Sequence, residues 1–464
     1  MKSRISILAV MAIVLLSSCG SNSSGGSTPP PGNEWTWVGG SNATNQTGTY
    51  GTLGVASPRN VPGARQQAVS WTDASGNFWL FGGTGYDSSG NPGTPLNDLW
   101  KYSAGQWTWM SGSNVEGQSG VYGTRGVAAA GNVPGARFGA IGSTDRAGNL
   151  WLFGGYFISP NGPSENGLLN DLWKYGAGEW TWISGSDTLN QVATYGTQGI
   201  AAPGNVPGAR SGATSWIDAS GNFWLFGGSG VISSGNCCAW LNDLWEYSSG
   251  QWTWIGGSQP LDNPQGVYGT QGIASPANIP GARSSANSWV DASGNFWLFG
   301  GDGVDSGGEG YLNDLWKYSA GEWTWMSGSS SPDQVGTYGT KGISSPANVP
   351  GARYGAVTWT DASGNLWLFS GASNYPGVMI FNDLWKCSAG QWTWMGGSIS
   401  PDQAGTYGTE GVASPANVPG ARFGAVGWTD ESGNFWLFGG QYGMLNTTSQ
   451  NPPVSFNDLW MYQP

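Results

Sequence analysis

The sequence predicts an all-β chain folded as a six-bladed β-propeller of four-stranded antiparallel blades, with an N-terminal strand completing the last blade. Three observations carry this expectation. Trp-Thr-Trp begins at Trp35, Trp107, Trp180, Trp252, Trp323 and Trp392, at spacings of 69–73 residues. Gly-Ala-Arg ends at Arg65, Arg137, Arg210, Arg283, Arg353 and Arg422, and Asn-Asp-Leu-Trp begins at Asn97, Asn170, Asn242, Asn313, Asn382 and Asn457. Each motif thus recurs six times at one period, as repeat architectures do. Finally, a lone Trp-Thr-Trp stands at 35–37, and none follows the last Asn-Asp-Leu-Trp. Residues 34–38 are therefore expected to supply the missing outer strand and close the ring.

The elements of one unit read off in order. Gly63-Ala64-Arg65 opens a first strand running to Trp71, and Asp73-Ala74-Ser75-Gly76-Asn77 forms a turn in which the Asp side chain bonds nearby backbone. Phe78-Trp79-Leu80-Phe81 is a second strand ending in Gly82-Gly83, and a loop of individual sequence leads to a third strand at Asp98-Leu99-Trp100-Lys101-Tyr102. Ser103-Ala104-Gly105 turns the chain into a fourth strand at Trp107-Thr108-Trp109-Met110. Large apolar or β-branched residues occupy both faces of strands two and four, as expected of a sheet packed between two others.

These residues resemble the kelch family, whose pattern sets Gly-Gly after the second strand, then a spaced Tyr and Trp, here Gly82-Gly83, Tyr102 and Trp107 and their counterparts. The resemblance covers residues 34–464 and departs from the pattern at Ser370-Gly371, at Cys387 in place of the Tyr, and at Ser143 where other first strands have Trp. It implies a binding platform more often than an enzyme, and fixes shape better than activity.

Ahead of the repeats, Lys2 and Arg4 precede an apolar run over residues 5–16 that is short for a bilayer span, and Leu16-Ser17-Ser18-Cys19 resembles a bacterial lipobox. Residues 1–18 are read as a lipoprotein signal peptide, Cys19 as the lipidated residue and 19–33 as a Ser/Gly/Pro tether. A membrane partner through this anchor and a place in the bacterial cell envelope, on the outer membrane, follow as expectations. Cys237 and Cys238 are adjacent and either form a vicinal disulfide or stay free, while Cys387 reads as a core substitution.

Composition removes several chemistries. The chain of 464 residues has no His, which excludes imidazole-ligated copper, zinc or haem iron and every Ser-His or Cys-His nucleophile. No cofactor is expected. Net charge is −12 and becomes −14 without Lys2 and Arg4, which argues against nucleic acid as a partner.

Candidate site residues lie where repeats differ. The loops between second and third strands (84–96, 156–169, 229–241, 302–312, 372–381 and 441–456) are individual in every blade and share one face. Twenty-nine of the 30 Trp occupy repeat positions, where burial accounts for them; Trp240 alone does not. With Tyr86, Tyr156, Tyr311, Tyr375 and Tyr442 it forms the candidate ligand-binding set, the alternative being that each ring packs down to order its own loop. Arg65, Arg137, Arg210, Arg283, Arg353 and Arg422 are expected at the channel mouth, tied up in bridges to Asp98, Asp171, Asp243, Asp314, Asp383 and Asp458. Asp302, Asp305 and Glu309 share one Gly-rich loop and are a weak calcium candidate, without EF-hand spacing.

The function expected is a monomeric, lipid-anchored envelope module binding a glycan or envelope protein through the variable loop face. One alternative is a metal-free sugar mutarotase or epimerase, with a ring Arg and Asp302 or Glu309 as acid and base. The other is a purely structural envelope scaffold.

Overall fold

A computed structural model of the chain describes residues 32–232, 238–259, 263–443 and 454–464. The signal segment, Cys19, the tether up to residue 31 and Cys237 lie outside the described residues. The described residues hold four four-stranded and two five-stranded antiparallel sheets, with three smaller ones beside them, arranged as a β-propeller. A representative blade runs from Val69–Thr72 through Phe78–Phe81 and Leu99–Ser103 to the outer Gln106–Ser111. In the last blade, Val426–Thr429, Phe435–Phe438 and Leu459–Gln463 are joined by the N-terminal strand Glu34–Gly39, which pairs Trp35 with Tyr462 and Trp37 with Trp460.

Closure is visible in two independent circuits. Six aromatic-aliphatic clusters each bridge two neighbouring blades, from Trp71 with Trp173 round to Trp428 with Phe78. Sheets buried on both faces explain why their strands read as unbroken apolar runs. The second circuit is a closed ring of six backbone hydrogen bonds of 2.7–3.1 Å: Gly139 to Gln67, Gly212 to Gly139, Ser285 to Gly212, Gly355 to Ser285, Gly424 to Gly355 and Gln67 to Gly424, each N–H donating to the next carbonyl. All six residues have φ of 51–65°, the left-handed conformation that Gly adopts freely and Gln67 and Ser285 adopt at some cost.

That ring corrects the continuous first strand read from sequence. The strand is broken two residues after each Arg, into Arg65–Gln66 and Val69–Thr72 in the first blade. The left-handed residue turns its peptide towards the axis and out of the ladder. A second correction concerns the interstrand loops. In three blades the second strand continues through its Gly-Gly into a long hairpin, Phe296–Asp305 with Gly308–Ser319 being one, so most of 302–312 is strand.

The segments between blades cover the outer edges. Gly54 N–H donates to Trp109 O (2.8 Å) and the buried Asn60 side chain donates to Trp107 O (3.1 Å). Gly411 and Asn417 do the same for Trp37 and Trp35, so the N-terminal strand leaves no open edge.

Candidate functional site

Each repeat Arg is bound within its own blade. Arg283 donates to both oxygens of Asp314 (2.7 and 2.8 Å), to Gly281 O and to Gly300 O; Tyr268 Oη and Trp316 Nε1 also donate to Asp314 Oδ2. The same four-residue network recurs five more times, with every Arg and Asp side chain at most 1% exposed. Burial works against the charged guanidinium of Arg283, and Asp314 more than offsets it, so its pKa is raised. Burial, then the Asp314 charge, pushes the Tyr268 phenol well above its ordinary value. Four of the five N–H donors of each guanidinium are taken up by partners inside the blade rather than by a ligand.

The central channel is neutral. Two cavities along it, about 430 and 360 Å³, are walled by the inner strands, with Ser70, Ser288, Thr358 and Thr360 among the lining side chains. No Arg, Lys, Asp or Glu lines either cavity. The Arg side chains therefore sit behind the channel wall.

Chemistry concentrates instead one residue beyond each Arg. These positions are Gln66, Phe138, Ser211, Ser284, Tyr354 and Phe423, and they pair across the sheet with the beginnings of the variable hairpins. Ser284 faces Asp302, which faces Tyr311; Ser211 faces Ser229, which faces Trp240. Tyr311 stacks on Tyr354 (5.4 Å between ring centres, 23° between planes), and Tyr354 meets Phe423 at 5.7 Å. Three rings thus form an arc across three consecutive blades. Asn374, from the next blade's hairpin, donates to Tyr311 Oη at 2.8 Å and orients that ring.

Asp302 lies beside this arc. Burial, then the nearby charges of Asp333 and Glu309, raise its pKa from 3.8 to about 6. Burial, then the charge of Asp302, pushes the Tyr311 phenol up to about 12. Because folded Asp302 holds its proton more tightly than the unfolded chain does, the stability it contributes at low pH is lost as pH rises from 3.8 through about 6. The Asp302→Asn variant is expected to show a smaller fall in melting temperature over that window, by the equivalent of about 1–2 kcal/mol. Superimposable pH profiles of the two proteins would contradict this. Asp73, Asp145, Asp218, Asp291 and Asp361, in which burial is outweighed by indole, amide and backbone donors so that the pKa is lowered, act below the window.

The remaining sequence candidates are scattered. Tyr156 meets Phe138 at 5.5 Å and packs against Leu168, Ala209 and Val231. Tyr442 packs on the cluster holding Phe423, and Tyr86 is half-buried, its N–H bonded to Ala64 O. Tyr375 is 51% exposed. Trp240 is half-buried and held through its backbone by Asn263 Oδ1.

The three carboxylates of the calcium candidate do not converge in the structure. Among the described residues no three His, Cys, Asp or Glu side chains are placed to hold a metal. Asp302 and Asp305 lie three apart in one strand and so point to opposite faces. Asp305 turns inward to accept from Gly307 N–H, while Glu309 accepts from Asn263.

Sequence reasoning missed Phe138, Tyr354 and Phe423, which were folded into the first strand. The available signal was variation at one fixed position, directly after an Arg that never varies.

No family model matches the chain, and no curated protein matches it. Among solved structures, YjhT is 14% identical with a TM-score of 0.49, the match covering 86% of this chain and 95% of that one. A copper-bound fungal alcohol oxidase of the AA5 family is 14% identical with a TM-score of 0.43, covering 90% and 76%. A protein of unknown function from Dyadobacter fermentans is 11% identical with a TM-score of 0.46, covering 88% and 97%. At these identities the likeness is one of fold.

Proposed function

We propose that the chain is a kelch-type propeller acting as a lipid-anchored binding module of the cell envelope, which holds a glycan through the variable loop face. The observation that carries this reading is the aromatic arc Tyr311–Tyr354–Phe423 with Asp302 beside it, built from positions that differ between blades. Ring faces next to a carboxylate and an amide, Asn374, suit the alternating apolar faces and hydroxyls of a sugar. Anchoring rests on the lipobox-like Leu16-Ser17-Ser18-Cys19. Residue 34 enters the propeller at the turn end of its strand, opposite the variable loops.

The test is a glycan array probed with residues 32–464, which carry all the core clusters. Retention on a defined set of glycans, lost in the Trp240→Ala/Tyr311→Ala double variant, supports the reading. Equal retention by both proteins refutes the site.

Asp302 also favours a second reading, catalysis without metal. A carboxyl group with a pKa of about 6 beside Tyr311 can exchange a proton with a sugar hydroxyl near neutral pH. Polarimetry on freshly dissolved anomers separates this from binding: acceleration lost in Asp302→Asn supports catalysis, and rates equal to buffer reject it.

A further inference from the structure

The second blade carries a cavity that its repeat position does not explain. Its volume is about 410 Å³, within the range of small-molecule sites, and its lining includes the side chains of Tyr122, Phe157, Leu169 and Leu189 together with Glu165 and Asp187. Tyr122 is fixed by its bond to Asp171, which leaves its ring as wall. The hairpin over the cavity is pinned from within. Ser159 N–H donates to Asn166 Oδ1 (2.8 Å), and Ser159 Oγ and Asn161 Nδ2 both donate to Glu165 Oε2 (2.7 and 3.2 Å). Those two donors lower the Glu165 pKa and leave Oε1 for another partner. Asp187 accepts only a long contact from Thr188 on Oδ1 (3.4 Å).

Among the described residues neither carboxylate is paired with a Lys or Arg. The corresponding cavity of the last blade, about 350 Å³, differs in kind: Asn42 stands in the place of Asp187, and the carboxylate in its lining, Asp402, is engaged by the Ile380 N–H (3.1 Å). An apolar floor rimmed by two exposed carboxylates without a Lys or Arg partner complements a cation on a hydrocarbon stem, and a protein of net charge −12 attracts cations to it.

We propose that this cavity binds a small alkylammonium ligand, with the carbon chain on Phe157, Leu169 and Leu189 and the ammonium group held by Glu165 and Asp187. The proposal rests on the reading of the loop face as the binding face and adds the charge class of one ligand. It predicts that discrimination comes from the carboxylates and that burial of the alkyl chain alone is insufficient.

The test is calorimetric titration of the protein with n-pentylamine at low ionic strength, with 1-pentanol as the neutral counterpart. Saturable one-to-one binding of the amine is expected, with pentanol at least ten-fold weaker. Glu165→Gln and Asp187→Asn should each weaken the amine at least ten-fold, and Tyr311→Ala should leave it unchanged. Melting curves of the variants establish that they fold. Binding of pentanol within two-fold of the amine, unchanged affinity in both carboxylate variants, or no heat from the amine up to about 10 mM overturns the proposal. A glycan lost in Tyr311→Ala while the amine fails to bind overturns this inference alone. An amine site lost in Glu165→Gln while no glycan is retained overturns only the glycan reading.

Discussion

Replacing Asp171 by Asn is expected to destabilise the propeller by about 3–5 kcal/mol, a large effect for a near-isosteric change. Asp171 accepts two hydrogen bonds from Arg137 and one each from Tyr122 and Trp173, all of 2.7–2.8 Å, with those from Arg137 and Trp173 fully buried. Asn keeps the shape but removes the charge and turns an amide donor towards groups that are themselves donors. Arg137, no more than 1% exposed, is left charged without a counterion. The loss corresponds to a fall in melting temperature of roughly 3–6 °C for a domain of this size, measured by calorimetry. A shift below about 1 °C would mean that water enters the site or that the bridge contributes little. Because the network recurs in every blade, Asp243→Asn should behave alike.

Trp35→Ala is the second large change expected. Trp35 belongs to the strand that closes the last blade, and its ring meets Trp359, Phe369, Trp460 and Tyr462 at 5.0–6.4 Å. Truncation leaves a cavity among four aromatic rings and should cost about 3–5 kcal/mol. Removing residues 1–39 altogether should do more than destabilise. It uncovers the edge of Leu459–Gln463 and the faces of Trp460 and Tyr462, so association between molecules is expected in size-exclusion chromatography. A monomeric truncated protein with the melting temperature of the full chain would show that the ring does not depend on this strand.

Much of this architecture is legible in the sequence because it rests on residues with few alternatives. Trp-Thr-Trp, Gly-Gly and Asn-Asp-Leu-Trp mark strands and their ends, and an Arg and an Asp that return six times on one face have few partners but each other. Other features depend on backbone geometry that composition does not encode. The hydrogen-bonded ring at the axis uses Gly in four blades but Gln67 and Ser285 in two, so the left-handed requirement has no uniform residue signature. Tyr50 and its five counterparts stand in a Tyr-Gly-Thr repeat that looks like loop, yet each phenol reaches 45–51 residues along the chain to the blade's Asp.

The site was less legible for a related reason. Tyr311 and Asp302 could be singled out as loop residues, but their meeting depends on a cross-strand register that only the hairpin sets. Tyr354 and Phe423 complete the arc from strand positions, where an aromatic residue reads as core. Tyr375, equally aromatic and in a variable segment, is on the open surface and touches none of them by ring contact.

The central claim is that repeated positions hold the scaffold while the arc of differing positions holds the ligand. Titration of the glycan retained best on the array, into wild type and Tyr311→Ala, tests it most directly. The account predicts at least a ten-fold loss of affinity with a melting temperature within about 2 °C of wild type, since Tyr311 is half-buried and lies outside the six core clusters that join the blades. Unchanged affinity, or a loss that appears only together with a collapse in stability, would contradict it.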